Sequence, residues 1–418
     1  MLVGMAKPIA KLLSTLTPKR RWSQFSLLTL FLVVTVLCIS LSVAVNRAHR
    51  QRDAVAAIEA LGGEVQYTEP DDSDEESGES AREALPKRLL RRWLPKHCLD
   101  EVEYVDFGDT QVTDAELAHL RALTGLQMLY LSGTQITDAG LAHLHGLTEL
   151  QVLYLDGTKV TGSGLAHLHR LTKLSELYFD FEITDTVLSH LHGMTSLQSL
   201  YLSPQVTDAG LAHVHGLTAL QSLYLRSTQI TDAGLAHLDG LTGLQGLFLD
   251  GTHVTDAGLA HLHELTALQR LYLSNTQITD AGLAHLEGLM GLQGLFLDGT
   301  HVTDAGLAHL RRLTALQGLF LNNTRVAGVG LADLQGLTCL RQLSLNNTRV
   351  ADAGLAHLQG LTALQSLFLD GTQVTDAGLA HLEGRTALRV LYLNGTQVTD
   401  AGVAQLRKAL PNCQIVGP

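Results

Sequence analysis

One segment of about 24 residues recurs along most of this chain. It reads LQMLYLSGTQITDAGLAHLHGLTE at residues 126–149, and a near-identical copy follows directly. A fixed period in the range of about 20–50 residues indicates a stack of similar units, because no single unit can bury its apolar side chains alone. A partial copy occupies residues 412–416, after thirteen copies that start at residues 102, 126, 150, 174, 197, 220, 244, 268, 292, 316, 340, 364 and 388.

The alternation of residues within one copy predicts its local structure. Leu129 and Leu131 lie two apart and face one side of a strand, while Tyr130 between them faces the other side. The Thr-Asp pair at residues 137–138 is typical of a helix N-terminus, and leucines three apart after it share one helix face. Strands stack about 4.8 Å apart, whereas helices need about 8–10 Å. We therefore expect a bent stack with the strands on its inner side.

The recurring T-D-x-G-L pattern resembles bacterial leucine-rich-repeat proteins that are anchored in a membrane, and is most similar to the cysteine-containing repeat subtype. The resemblance implies an α/β leucine-rich-repeat solenoid, a right-handed horseshoe with parallel strands on the concave face and helices on the convex face. It also implies protein recognition by the concave face, without catalysis. Threonine, whose hydroxyl can bond the turn backbone, takes the usual turn Cys or Asn position at Thr134, Thr158, Thr228, Thr252, Thr276, Thr300, Thr324, Thr348, Thr372 and Thr396.

Residues 25–45 form a run of 21 residues without a charge. This length predicts a transmembrane helix, and five basic residues before it against three after it favour a cytoplasmic N-terminus and exported repeats. The location predicted is thus a cell membrane, crossed once. The alternative is a cleaved signal peptide, because residues 42–44 read Ser-Val-Ala.

The remaining boundaries follow from shifts in composition. The expected order is a basic tail at 1–24, the transmembrane helix at 25–45, a juxtamembrane helix and short strand at 46–66, an acidic disordered linker at 67–83, an N-terminal cap at 84–101, leucine-rich repeats at 102–411, and a C-terminal partial repeat at 412–418.

Charge and motif content exclude several classes of protein. The net charge is −12, and residues 99–418 alone carry −15, which argues against nucleic acid as a partner. The four cysteines have no spacing typical of a disulfide framework or a zinc site. We find no phosphate-binding loop, nucleophile elbow or metalloprotease motif. The sequence therefore predicts neither an enzyme nor a cofactor or metal site.

The outward strand positions supply the candidate binding residues. Aromatic rings fill eleven of thirteen equivalent positions, and acidic residues recur two positions further on. The rings can be interpreted as a ladder that packs against itself, or as an exposed stripe that binds a partner. The predicted partner-binding residues are Tyr130, Tyr154, Tyr178, Tyr201, Tyr224, Phe248, Tyr272, Phe296, Phe320, Phe368, Tyr392, Asp156, Asp250, Asp298 and Asp370.

Three functions are compatible with these residues. The favoured one is a membrane-tethered scaffold that recognises a protein partner through the concave face. The alternative is a protein that binds a carbohydrate or polymer of the cell envelope, since acid beside aromatic also suits sugars. The least favoured is an enzyme or an adaptor that recruits one. Recurrent histidines add the hypothesis that partner affinity depends on pH near 6–7.

Overall fold

A computed structural model describes residues 27–67, 101–179 and 183–417. The chain divides into two compact units: residues 1–56 with 70–100, and residues 57–69 with 101–418. The predicted basic tail (1–24), acidic linker (67–83) and cap (84–101) lie outside the described residues, apart from residues 67 and 101.

The apolar run near the N-terminus lies in one long helix, α1 (Leu27–Ala60), which continues into sequence that carries Arg47, Arg50 and Arg52. A membrane span needs about 20 predominantly apolar residues. Across the described residues, no helix combines the length and the apolar character that such a span requires. On that finding the predicted transmembrane helix at residues 25–45 is wrong. The predicted export of the repeats was a separate inference and stays a prediction.

The unit that holds the repeats is built from short strands, one for each copy. Strands β2 to β15 run parallel to their neighbours and pair in chain order, within one sheet of β1–β5 and a second of β6–β15. The parallel strand pairing supports the predicted solenoid. The strands are β1 (Glu64–Tyr67), β2 (Val102–Asp106), β3 (Met128–Tyr130), β4 (Val152–Tyr154), β5 (Glu176–Tyr178), β6 (Ser199–Tyr201), β7 (Ser222–Tyr224), β8 (Gly246–Phe248), β9 (Arg270–Tyr272), β10 (Gly294–Phe296), β11 (Gly318–Phe320), β12 (Gln342–Ser344), β13 (Ser366–Phe368), β14 (Val390–Tyr392) and β15 (Gln414–Val416).

Strand β1 covers the N-terminal edge of the first sheet. It pairs with β2 in the antiparallel direction, with Val65 opposite Val105. A turn at Gly63 precedes β1. A Cβ at this position would lie 2.7 Å from the side chain of Ile58 and 2.8 Å from that of Phe107, so only glycine fits. Strand β1 is the edge strand of this sheet and covers the backbone groups of β2, which would otherwise be open to pairing with another chain.

The return segments are short. Most consist of one α-helical turn that begins at an aspartate and passes into a 3₁₀ turn, rather than a long helix. The α-helices after α1 are α2 (Asp138–Leu141), α3 (Asp185–Leu188), α4 (Asp208–Leu211), α5 (Asp232–Leu235), α6 (Asp256–Leu259), α7 (Asp280–Leu283), α8 (Asp304–Leu307), α9 (Asp352–Leu355), α10 (Asp376–Leu379) and α11 (Asp400–Ala409). The 3₁₀ segments are Glu116–Ala122, Gly162–Leu168, Ser189–Leu191, Ala236–Leu238, Ala260–Glu264, Ala284–Leu286, Ala308–Leu310, Val329–Leu334, Ala356–Gly360 and Ala380–Leu382.

Leucines between the strands and the returns form the core. Leu247, Leu249 and Leu259 have no exposed surface, and their equivalents in other copies are buried in the same way. The turn threonines lie at the margin of this core. Thr252 donates its hydroxyl hydrogen to the carbonyl of Leu249 at 2.7 Å, and the same bond recurs at the other turn threonines of the array. The predicted hydrogen-bonding role of threonine in the turn is confirmed.

Candidate interaction surface

The outward side chains of β2 to β15 form a surface that we call the strand face. Its central feature is the row of aromatic rings predicted from the sequence. In seven neighbouring pairs the ring centroids lie 3.9–4.4 Å apart with interplanar angles of 6–20°, so the rings stack face to face. The expectation that the rings pack against one another is therefore confirmed.

The ring spacing also shows how this face curves. Strands lie about 4.7–4.9 Å apart at the backbone. Rings that project from straight, parallel strands would keep that spacing, but Tyr201 and Tyr224 approach to 3.9 Å, as do Tyr272 and Phe296. Side chains converge only on the inner side of a bend, so the strand face is the concave side of the stack where these pairs lie.

Stacking hides the ring faces and leaves edges and hydroxyls available. Phe248 is only 8% exposed, whereas Tyr201 at the start of its block is 48% exposed. Burial first, and then the hydrogen bond with Tyr224, raises the pKa of Tyr201 to about 12. Burial, together with a 2.9 Å hydrogen bond donated to Asp106, also raises the pKa of Tyr104 to about 12. These phenols remain protonated at neutral pH, so they present hydroxyl groups without charge.

Among the described residues, the stacking of the rings is interrupted at two places. The first lies between Tyr178 and Tyr201, where pairing between β5 and β6 also stops and residues 180–182 are not described. The second is Ser344, which supplies a hydroxyl in place of a ring between Phe320 and Phe368. The rings therefore form three blocks, with the longest from Tyr201 to Phe320.

The acidic column beside the rings has a structural role. Asp298 accepts a hydrogen bond from the backbone N–H of Asn322 at 2.7 Å, and Asp370 accepts one from Asn394 at 2.6 Å. Asp250 accepts one from Ser274 at 3.0 Å. Burial raises the pKa of Asp298, which the bonds from Asn322 oppose. One carboxylate oxygen of each aspartate therefore joins neighbouring copies and is not free for a partner.

Asp156 shares the backbone contact that Asp250, Asp298 and Asp370 make with the preceding copy. Its backbone carbonyl accepts a hydrogen bond from the N–H of Gly133 at 2.8 Å. The amides Asn322 and Asn346 continue the column in the C-terminal copies, where each accepts a backbone N–H at 2.8 Å. An acidic or amide side chain at this position is thus explained by the stack itself.

Arg226 interrupts the acidic column. Its Nε lies 3.0 Å from Oδ2 of Asp250, and its side chain is 55% exposed. The guanidinium carbon lies 5.3 Å from the centroid of the Phe248 ring and 5.2 Å from that of Tyr272. A shallow concavity surrounds this group, lined also by Ser274 and Asn275. Arg226 is not among the partner-binding residues predicted from the sequence.

A second set of contacts, which we call the Asp–Thr clamps, joins the copies on the helix side. The aspartate that starts one helical turn accepts two bonds from the threonine that precedes the next turn, from the N–H at 2.6–2.9 Å and from the hydroxyl at 2.6–2.7 Å. The clamped pairs are Asp114–Thr137, Asp138–Thr161, Asp185–Thr207, Asp208–Thr231, Asp232–Thr255, Asp256–Thr279, Asp280–Thr303, Asp352–Thr375 and Asp376–Thr399.

The clamps explain the T-D-A-G pattern more fully than capping alone. Most of these threonines also accept a bond from the N–H two residues on, as Thr279 does from Ala281 at 3.3 Å, which confirms the predicted cap. A Cβ on Gly258 would overlap the carboxylate of Asp232, so the glycine makes room for the clamp. The sequence contained the signal, a Thr-Asp pair at constant spacing, but we interpreted it within one copy.

Two copies lack the clamp aspartate, near the same places where the rings stop. Gly162 replaces it before the first interruption, and Thr184 shows no side-chain cap bond. Gly328 replaces it before the second, with φ of +110°, a conformation that favours glycine. Asp304 there bonds the backbone N–H groups of 327, 328 and 330 instead of a threonine.

Histidines of the helix side make local contacts. Nδ1 of His145 lies 2.7 Å from the carbonyl three residues earlier, and His309 lies 2.7 Å from Glu287. Burial, and then the charge of Arg121, lowers the pKa of His143. Within the described ranges, no three His, Cys, Asp or Glu side chains are grouped so that they could hold a metal ion.

Comparisons with known proteins agree with this geometry. A family model described as a leucine-rich repeat matches residues 216–238 and 264–286. An internalin of Listeria monocytogenes is 24% identical with a TM-score of 0.57, over 79% of this chain and 94% of that one. A leucine-rich-repeat protein of Leptospira interrogans is 20% identical with a TM-score of 0.54, over 71% of this chain and 80% of that one. No curated protein matches the sequence.

The fold and the repeats therefore define the class: the chain contains leucine-rich repeats and folds as a leucine-rich-repeat solenoid. The two solved structures establish the fold alone, because both are less than 25% identical to this chain. The resemblance to leucine-rich repeats is thus confirmed.

Proposed function

We propose that this protein is a non-catalytic scaffold that recognises a protein partner through its strand face. The block from Tyr201 to Phe320 carries this proposal, because five stacked ring contacts there hold aromatic edges and hydroxyls in a rigid row. Rigid aromatic groups contribute much contact area to a protein interface at low cost in conformational entropy. The proposal concerns the repeats and requires no membrane span.

The same geometry disfavours the carbohydrate alternative. A sugar ring binds an aromatic side chain by lying flat against its face. In this block each inner ring has neighbours at 3.9–4.4 Å on both sides, so its faces are already covered. Ring edges and hydroxyls suit a polypeptide with mixed polar and apolar groups better than a flat sugar.

Photocrosslinking from matched positions tests which face meets the partner. Gln245, immediately before β8, and Glu264 on the helix side belong to the same copy, and both side chains are exposed. Each is replaced in turn by p-benzoylphenylalanine in the full chain, which leaves the ring row intact. We expect the Gln245 variant to yield a discrete crosslinked protein and the Glu264 variant to yield none.

Replacement of Tyr201 by serine tests the role of the row itself. This ring is the most exposed of its block, and serine occupies the equivalent position at Ser344. We expect Tyr201→Ser to weaken the crosslink from position 245 while the circular dichroism spectrum stays unchanged. A crosslink that forms equally from positions 245 and 264, or only from 264, would refute the proposal.

A further inference from the structure

Charge is distributed unevenly between the two sides of residues 220–363. The strands and adjoining turns there contain Arg226, Arg270, Arg325, Arg341 and Arg349, against only Asp250 and Asp298. The helical segments and their ends hold nine acidic residues and two arginines. The negative charge of this part of the protein therefore belongs to the helix side, and the strands with their adjoining turns carry an excess of positive charge.

The acidic residues of the strand face are also the ones least able to meet a cation. Asp298 is engaged with Asn322, and Asp250 is engaged with both Ser274 and Arg226. The arginines of the strands and adjoining turns are therefore the charged side chains that remain available to attract a partner.

Arg226 is held in a fixed orientation. Its Nε lies 3.0 Å from Oδ2 of Asp250. Its guanidinium carbon lies 5.3 Å from the ring centroid of Phe248 and 5.2 Å from that of Tyr272. Stacking on aromatic rings and a charged partner restrict an arginine that would otherwise have many rotamers. Among the described residues, Arg226 pairs with Asp250 through Nε, and no protein acceptor bonds its two terminal nitrogens. These nitrogens form a fork that matches the two oxygens of a carboxylate.

Arg270 adds a second positive charge at the same place. It is exposed and begins β9, two residues before Tyr272. Both Arg270 and Arg226 act electrostatically on the Tyr272 hydroxyl and lower its pKa, against a larger rise caused by burial. An anion above Tyr272 would therefore be attracted by both guanidinium groups.

We propose that the concavity around Arg226 is a subsite for an aspartate or glutamate side chain of the protein partner. The carboxylate pairs with the terminal nitrogens of Arg226, and Arg270 supplies further attraction. The serine and amide side chains of Ser274 and Asn275 line the same concavity and offer additional hydrogen bonds. This inference rests on the proposed function, since it assigns a chemical class to part of the partner's surface.

Binding of a fluorescent hexaglutamate peptide, with acetyl and amide ends, tests the subsite in the full chain. Hexaglutamine with the same ends controls for backbone contacts. The test variant is Arg226→Asn, because Asn322, Asn346 and Asn394 occupy this position in other copies and show that asparagine fits there. The matched control is Arg341→Gln, which removes the same charge immediately before β12 and introduces the glutamine found at Gln317 and Gln365.

We expect the unmodified protein to bind hexaglutamate and not hexaglutamine. Arg226→Asn should weaken hexaglutamate binding by about ten- to hundredfold, the range expected for loss of a charged hydrogen-bonded pair. Arg341→Gln should change it by less than about twofold, since it lies several strands away and salt screens charges beyond roughly 8 Å.

Several results would overturn the assignment. They are no binding of hexaglutamate, equal binding of both peptides, or equal losses in the two variants. A single-stranded DNA oligonucleotide supplies phosphate charge, and binding of it as tight as that of hexaglutamate, with the same loss in Arg226→Asn, would also overturn an assignment to acidic peptide. If hexaglutamate does not bind but the crosslink from position 245 forms, the carboxylate subsite is refuted and the proposed function is not. A crosslink from position 264 alone would remove the proposed function as well.

Discussion

The central copies and the two interruptions differ in how their neighbours are joined. From Tyr201 to Phe320 the rings stack without a gap, and clamps from Asp185 to Thr303 join successive turns on the other side of the core. Around Gly162 and Gly328 the clamp aspartate is missing, and a ring contact is lost within one copy of each. The leucine core continues at both, with Leu188 and Leu343 fully buried.

The comparison separates two sources of stability in a repeat stack. The core supplies the apolar burial that makes the chain fold, and it is the same everywhere. The rings and clamps supply directional contacts between neighbours, and these decide where the stack is continuous. Because the stability of such arrays is approximately a sum of terms for each copy and each interface, the two interruptions should be its weakest interfaces.

The largest effect is expected from a charge placed in the central core. Leu249 has no exposed surface, so Leu249→Asp buries a carboxylate without a partner. We expect a loss of more than about 4 kcal/mol in the free energy of unfolding, measured by urea denaturation, with neighbouring copies lost as well. Leu249→Met is the control and should cost less than about 1.5 kcal/mol. A mild effect of the aspartate would mean that the central core is not closed.

Removal of one clamp tests the helix-side contacts. Asp256→Ala leaves the N–H and hydroxyl of Thr279 without their acceptor and should cost about 1–3 kcal/mol. The matched control is Asp400→Ala, since Asp400 begins α11 and accepts no clamp bond from a threonine among the described residues. That control should lose only the favourable placement of an acid at a helix N-terminus, below about 1 kcal/mol. Equal losses would show that the clamp adds nothing to stability.

Arg385 offers a test in the C-terminal block. Other copies have leucine at this position, or methionine at Met194. The Arg385 guanidinium donates hydrogen bonds to the backbone carbonyls of Gln359 and Leu361. Its Nε is buried and has no hydrogen-bond partner among the described residues. Burial lowers its pKa. Arg385→Leu should raise the free energy of unfolding by about 1–2 kcal/mol, because it restores apolar packing and removes an unsatisfied donor. A loss of stability in a thermal melt would contradict this account.

The gap in the row of rings at Ser344 can be filled with an aromatic side chain. Ser344→Phe places a ring between Phe320 and Phe368 and should stabilise the array by about 1 kcal/mol through new stacking. The substitution also removes the 2.6 Å hydrogen bond from Ser344 to Asn322. Ser344→Ala loses that bond without adding a ring, so it is the reference. If the phenylalanine variant unfolds at lower urea than the alanine variant, the gap is a packing requirement rather than a missing contact.

The smallest expected effect is on the loss of stability at acidic pH. Burial raises the pKa of Asp138, but hydrogen bonds from Ser163 and Thr161 outweigh it and lower that pKa overall. A carboxyl whose pKa is depressed in the folded state adds stability above its unfolded value of about 4, and this is lost as the pH falls through the lower folded value. Asp138→Asn should therefore flatten the fall in stability below about pH 4. An unchanged fall in the Asp138→Asn variant would show that this carboxylate does not contribute to it.

Much of the fold could be predicted because its causes are local. The period of 24 residues, the inward leucines, the turn threonines and the outward rings each follow from spacing along one copy. The transmembrane prediction failed where one apolar run was judged by itself, since α1 continues into a basic segment. The cover of the first sheet by β1 was not predicted, because antiparallel pairing across 40 residues leaves no periodic signal.

The sequence by itself determined which side chains face the core and which face outward, since strand and helix periodicity act within a few residues. Only the tertiary structure decided what the outward polar groups do. Asp256 meets a threonine 23 residues away, Asp250 divides its carboxylate between Ser274 and Arg226, and the rings cover one another's faces. These contacts depend on the distance and angle between neighbouring copies, which arise only when the copies stack.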